Sequence, residues 1–313
     1  MGIFKLLSSV CDGIGSWRGV ALAPTPDNLP PMARSPPVHA DLHAHSTASD
    51  GLDSPEELVR CAARAGLSVL ALTDHDTTSG LARAAAAAPP SLQIACGVEI
   101  SCEDRGRERH VLGLFVDPEA PVLMALLDAA RQERLRAGER LARRLASLGM
   151  PVSLEEARRH ARGESLGRPH FARALVEKGY VASVAEAFDR WLGTGRPACV
   201  FKARPSVGEA IGAIHAAGGL AALAHPGVYR PAPAGREELS RLRQMGLDAL
   251  EVCHPGHDET LERRYRAFAR GLGLLPTGGS DWHGPGRGPS PGSHGLGRAE
   301  YEALVAHLRQ RRK

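Results

Sequence analysis

Asp41-Leu42-His43-Ala44-His45-Ser46-Thr47-Ala48-Ser49-Asp50-Gly51 is the stretch on which the reading of this chain turns. A short apolar lead-in over residues 38–42 reads as a buried strand, and it delivers two histidines at i and i+2 to one side just where the strand ends. Gly51 turns the chain. Ser54-Pro55-Glu56-Glu57 then supplies an N-cap, a proline at the first helical position and an acidic first turn. His43, His45 and Asp50 therefore sit on a strand-to-helix loop. A lone His-x-His pair is a weak signal, since surface histidines need no function. Its weight comes from four further clusters of the same chemistry, each at the end of an apolar run.

Working outward, residues 67–73 form a buried-strand run that leads straight into Asp74-His75-Asp76. Residues 92–101 follow as a strand in which Glu99 is wedged between apolar neighbours. An isolated buried carboxylate is costly; a salt bridge to a local arginine or a bound cation would relieve it, and a cation is the commoner remedy. His110 opens another strand, 111–116, and sits oddly at that strand's start, which predicts an antiparallel strand or a distorted barrel. Strands 219–224, 248–252 and 274–280 end in His225-Pro226-Gly227, His254-Pro255-Gly256-His257 and Asp281-Trp282-His283, with helices between them. Seven strands alternating with helices, and polar residues gathered at the strand ends, predict an α/β barrel with its site on one face.

The alternation is interrupted at Asp117-Pro118. From there to about Arg204 only helical periodicity is visible: 121–148, 154–162, 169–178 and 184–192. The domain reading is thus a barrel over 38–117 and 205–313 and an all-helical insertion over 118–204. Arg131, Arg134, Arg136, Arg140, Arg143 and Arg144 read mainly as a solvated helix face with i, i+4 partners in Glu133 and Glu139. Arg168 differs, because Gly167-Arg168-Pro169-His170 places it at a helix N-terminus, a natural anion site.

Composition narrows the classes. The 313 residues are 43% hydrophobic and 24% charged with net charge +4, which fits one large globular domain with an insert. Aromatics at 4% leave Ala, Leu and Val to fill the core and argue against a broad base-stacking surface. The mild basic excess suits anionic small molecules or short oligonucleotides better than duplex DNA. Six scattered cysteines without a Cys-x-x-Cys read as buried thiols in a reducing compartment, hence a cytoplasmic protein. No apolar run is long enough for a membrane helix. Residues 1–37 make a poor signal peptide, lack a myristoylation pattern and end proline-rich, which predicts a disordered leader; Met32 is an alternative start of translation.

His43, His45, Asp50, His75, Glu99, His110, His225, Asp281 and His283 together make a nitrogen and oxygen donor set with no thiolate. That suits Zn, Mn or Fe and is too large for one ion. Asp41-Leu42-His43-Ala44-His45-Ser46, Thr73-Asp74-His75-Asp76, Gly97-Val98-Glu99-Ile100-Ser101, His225-Pro226 and Ser280-Asp281-Trp282-His283 resemble the motifs of the PHP (polymerase and histidinol phosphatase) family over residues 38–285. Within it, the insert with Gly167-Arg168-Pro169-His170 and the His254–His257 segment are most similar to nucleoside 3',5'-bisphosphate phosphatases and short-RNA 5'-to-3' exonucleases. The resemblance implies a distorted seven-stranded barrel and two or three divalent ions. One ion would take His43, His45, Glu99 and Asp281, with Glu99 bridging to a second on His110 and His225, and a third on Asp50, His75 and His283.

The expected chemistry is hydrolysis of a phosphate monoester by a metal-activated hydroxide, with no protein nucleophile. Arg168, with Arg134 beside it, is expected to hold a second phosphate. His257 is either a phosphate donor or general acid, or merely an exposed loop histidine; His170 starts a helix; Asp74 and Asp76 orient ligands; Cys253 is a core thiol. The rivals are a histidinol-phosphate or sugar-phosphate phosphatase on the same ions, and a non-catalytic metal-binding module of a larger assembly.

Overall fold

A computed structural model describes residues 38–161 and 166–312; the expectations for residues 1–37 lie outside the described residues. Seven strands follow one another round a single sheet in chain order: β1 (Ala40–Asp41), β2 (Val69–Leu72), β3 (Gln93–Asp104), β4 (Arg107–Leu114), β5 (Leu220–Leu223), β6 (Ala249–Cys253) and β7 (Leu275–Gly278). The sheet curls until its last strand meets its first. Leu42 N–H donates to Gly278 O at 3.1 Å, Asp281 N–H to His43 O at 2.8 Å and His45 N–H to Trp282 O at 2.9 Å. The result is a nearly closed seven-stranded α/β barrel.

Its distortion lies in β4, which runs antiparallel to both β3 and β5 while the other neighbours run parallel. That accounts for His110. In a reversed strand the residue nearest the mouth comes early, and His110 stands opposite Ser101, just past Glu99. The strand also begins earlier than its apolar run, because Arg105 and Gly106, both at positive φ (51° and 75°), make a two-residue hairpin turn that extends the ladder to Asp104 and Arg107.

Small and aliphatic side chains fill the barrel: Ala71, Ala95, Leu112, Ala222 and Ala249 pack with Leu42 and Leu114. A C-terminal helix unforeseen from the sequence closes the end away from the site through Tyr301, Leu304 and Leu308. Around the outside lie α1 (Pro55–Arg64), α2 (Leu81–Ala87) and, after the insert, further helices. Where the sequence carries Ser54 and Glu57, the two cap each other's backbone at 3.2 and 2.7 Å. Such a box typically contributes about 1 kcal/mol and fixes where the helix begins.

Among the described residues there is no strand between β4 and β5. The chain instead makes α3 (Pro121–Ser147), α4 (Leu154–Arg158), α5 (Arg168–Glu177) and α6 (Val184–Ala187), the last continuing into a π-helical turn, Phe188–Leu192. Leu123 and Leu127 of α3 pack on the barrel, whereas Leu141 and Leu145, about four turns further on, join a separate core with Phe171, Leu175 and Leu192. One long helix therefore belongs to both. The remaining helices are α7 (Val207–Ala216), α8 (Arg236–Gln244), α9 (Glu259–Leu272) and α10 (Arg298–Arg311). Among the described residues no helix is long and apolar enough to cross a membrane.

Candidate metal centre and its cavity

The strand ends of the barrel deliver their polar side chains to one point. His43 Nε2, His45 Nε2, Glu99 Oε2 and Asp281 Oδ1 lie at mutual separations of 3.1, 3.4, 3.3, 3.3 and 3.2 Å. Nitrogen and oxygen donors this close together can serve as ligands to a shared ion. The other oxygen of Glu99, Oε1, faces His110 Nδ1 at 2.8 Å and His225 Nε2 at 3.0 Å. On the far side His75 and His283 direct Nε2 toward Asp50 Oδ1 at 3.8 and 3.4 Å, and His75 Nδ1 is 2.8 Å from Glu99 Oε2. All nine sequence candidates are thus brought together, with Glu99 at the centre.

Two observations test whether this set fits cations. Glu99 Oε2, Asp50 Oδ1 and His75 Nδ1 are buried yet have no hydrogen-bond partner, although imidazole nitrogens crowd around the carboxylates. Unpaired buried polar atoms are costly, and donors that converge without bonding one another are arranged as ligands to a shared ion. Charge agrees. Burial opposes ionisation throughout, but the nearby Asp281 and Glu99 carboxylates carry His45 up to about 10, and Glu99 with Glu108 carries His110 up to about 9. In return the imidazolium neighbours hold Glu99, Asp281 and Asp50 well below the usual carboxylate range against the same burial. The pocket demands positive charge, which divalent ions supply in place of protons.

Further residues hold these groups in place. Glu251, wholly buried in β6, accepts from His43 Nδ1 at 3.0 Å and from the backbone N–H of His225 at 2.6 Å. That fixes the His43 tautomer with the Nε2 lone pair turned into the cluster. The sequence carried the signal, a carboxylate inside the apolar run Ala249-Leu250-Glu251-Val252, the same signal as at Glu99, and it went unused. His254 was likewise missed: its Nδ1 accepts from Gly256 N–H at 2.9 Å, so Nε2 carries the proton and donates to Asp281 Oδ2 at 3.2 Å. Asp74 binds the Ser46 N–H, the Ser46 hydroxyl and the Ser49 hydroxyl at 2.6–2.7 Å and so shapes the first loop. Gly279 has no alternative, because a Cβ there would lie 2.4 Å from His43 Cβ where β7 passes β1. His225, Asp281 and Asp76 all adopt positive φ (29°, 48° and 55°), backbone strain concentrated at the strand ends that carry the site.

His257 corrects the expectation. Its ring is buried, donates from Nδ1 to Val252 O at 2.8 Å and accepts from Gly227 N–H at Nε2 at 2.9 Å. Both nitrogens are used by backbone, so the ring has no proton to give a substrate; it pins two strand-end loops together. Burial also pushes its pKa down. His170 is a helix-start residue as read, its Nδ1 accepting from Gly167 N–H at 2.9 Å.

Above the cluster lies a cavity of about 410 Å³ between barrel and insert. Asp50, His75 and His110 line its floor, and Arg134, Arg168, Lys202 and Arg204 its other walls. Arg168 donates to Leu192 O at 3.2 Å and lies over the Phe188 ring. Arg134 is in ion-pair contact with the buried Asp76, and Arg204 pairs with Glu108 at 2.7 Å. The α3 arginines thus depart from the expected i, i+4 pattern, since Arg134 reaches the barrel and Arg144 donates to Pro197 O at 2.8 Å.

A family model of the PHP domain matches residues 41–264. The chain is 38% identical over 247 residues to a 5'-3' exoribonuclease of Haemophilus influenzae, covering 78% of this chain and 90% of that one. It is 37% identical over 257 residues to a 3',5'-nucleoside bisphosphate phosphatase of Chromobacterium violaceum, covering 80% and 89%. A solved structure from Bifidobacterium adolescentis, assigned as a metal-dependent phosphoesterase, superposes with a TM-score of 0.77 at 31% identity over 87% of this chain and 97% of that one.

Proposed function

The chain belongs to the PHP domain family, and from that premise we propose that it is a metal-dependent phosphoesterase releasing phosphate from nucleoside 3',5'-bisphosphates and trimming short 5'-phosphorylated RNA from the 5' end. One observation carries the reading: a donor set suited to two or three divalent ions and a cationic wall face each other across a single cavity. A volume of about 410 Å³ suits one nucleotide.

His43, His45, Glu99 and Asp281 would hold one ion, Glu99 with His110 and His225 a second, and Asp50, His75 and His283 a third. Bound ions of this kind supply Lewis acidity at the phosphoryl oxygens and a hydroxide from water near neutral pH. The protein does the positioning. Glu251 and His254 keep His43 and Asp281 turned inward, so the scissile phosphate meets a preformed site. Arg168, assisted by Arg134, takes the second phosphate, whose binding energy orients the first. Residues 118–204 serve as the cap that brings these cations over the barrel.

Turnover of adenosine 3',5'-bisphosphate, a short 5'-phosphorylated RNA and histidinol phosphate, compared with metal analysis of the same preparation, tests this. Rapid hydrolysis of histidinol phosphate alone would replace the nucleotide reading with a sugar-phosphate one. A metal-loaded protein that hydrolyses none of them would be a binding module.

A further inference from the structure

Among the described residues, Phe201 is the one aromatic side chain left largely in solvent, 70% exposed in a protein otherwise short of aromatics. It lies not on a remote surface but on the rim of the cavity that holds Arg168, Lys202 and Arg204. Its backbone is fastened on both sides. The Phe201 carbonyl accepts from Arg140 Nη2 at 2.9 Å, and Ala203 N–H donates to Glu133 Oε1 at 3.2 Å, while Glu133 and Arg140 bind each other at 2.6 Å. Between them Lys202 turns inward, 3.9 Å from Asp76. The segment therefore presents a cation to the cavity and an aromatic face to its edge, from a strap that α3 holds in position.

The geometry points to Phe201 as the stacking platform for the substrate's nucleobase. This rests on the nucleotide reading above and deepens it. With one phosphate on the floor and the other on the guanidinium wall, the ribose between them occupies the cavity and its base must leave by the rim. A base is flat and apolar on its faces, every base has a π face, and an aromatic ring beside cations is the surface that accepts it without choosing among bases. Because the strap is already fixed, little ordering cost falls on binding.

The test compares wild type with Phe201→Ala and Phe201→Trp on adenosine 3',5'-bisphosphate and on ribose 5-phosphate, which has no base. Phe201→Ala lowers kcat/KM for the nucleotide about tenfold with little change on the sugar phosphate, and Phe201→Trp restores it. A second measurement needs no catalysis. In chelator-treated Phe201→Trp, adenosine 3',5'-bisphosphate quenches the added indole fluorescence and ribose 5-phosphate does not. Equal losses on both substrates, or no quenching, would overturn the platform while leaving the phosphatase reading intact. A wild type inactive on the nucleotide yet active on the sugar phosphate would overturn both.

Discussion

The floor and the wall of the cavity are built on opposite principles. On the floor, short side chains leave the ends of rigid strands and are held from behind: His43 by Glu251, Asp281 by His254, the first loop by Asp74. On the wall, long cationic side chains leave helices and a strap, with partners drawn from backbone carbonyls or from carboxylates. A site that must fix cations within a fraction of an ångström is overdetermined; one that must greet a flexible anion is not. Substitutions should therefore cost more, and spread further, on the floor.

The largest effect is expected at the centre. Glu99→Gln or His45→Ala should cut hydrolysis by about a thousandfold or more, as loss of a metal ligand does, with circular dichroism unchanged and bound metal reduced. Turnover within tenfold of wild type would dissolve the contrast, since the floor would then be no more critical than the wall. One step behind, Glu251→Gln should weaken metal affinity about 10–100-fold, measured by competition with a chelating dye. On the wall, Arg168→Ala should lower kcat/KM for the bisphosphate about 30-fold and for a simple aryl phosphate only a few-fold, the scale of one charge-assisted hydrogen bond. Equal losses on both would take away its role. His257→Ala should leave turnover within tenfold but lower stability by about 1–3 kcal/mol in urea melts, because Gly227 N–H and Val252 O lose their partner.

The smallest expected effect is a pH response of the wall. Burial, with Arg173 nearby, pushes His170 down to about 4. The folded state thus refuses a proton that the unfolded chain accepts near 6.5, so this contribution is complete above about 6.5 and lost as pH falls through about 4. Urea midpoints at pH 7 and pH 4.5 should differ less in His170→Gln than in wild type. An unchanged difference would assign the acid sensitivity elsewhere.

What the sequence made legible was the floor. Strand ends mark themselves by an apolar run followed by histidine and aspartate, and Glu99 stands out because solvation makes a carboxylate rare there. His110 could be placed only with the direction of β4 left open, since an apolar run does not reveal its direction. Glu251 carried the same mark as Glu99, but one buried carboxylate among apolar neighbours does not say whether it faces an ion or an imidazole. His254 and His257 stand three residues apart in one turn, and only the path of that turn decides which ring meets Asp281 and which meets backbone. The wall was least legible: an arginine on a helix reads as solvated until a distant partner such as Asp76 is known to lie opposite.

The seam between β7 and β1 has a consequence for biosynthesis. Asp281 and His283 emerge from the ribosome after every other member of the cluster, and the bonds that seat them join the last strand made to the first. A growing chain, folding from its N-terminus, can shape an open trough but cannot yet bring Asp281 to His43 and His45. The grouping of His43, His45, Glu99 and Asp281 is therefore complete only once β7 has been made, and a message truncated ahead of β7 yields a product that lacks it.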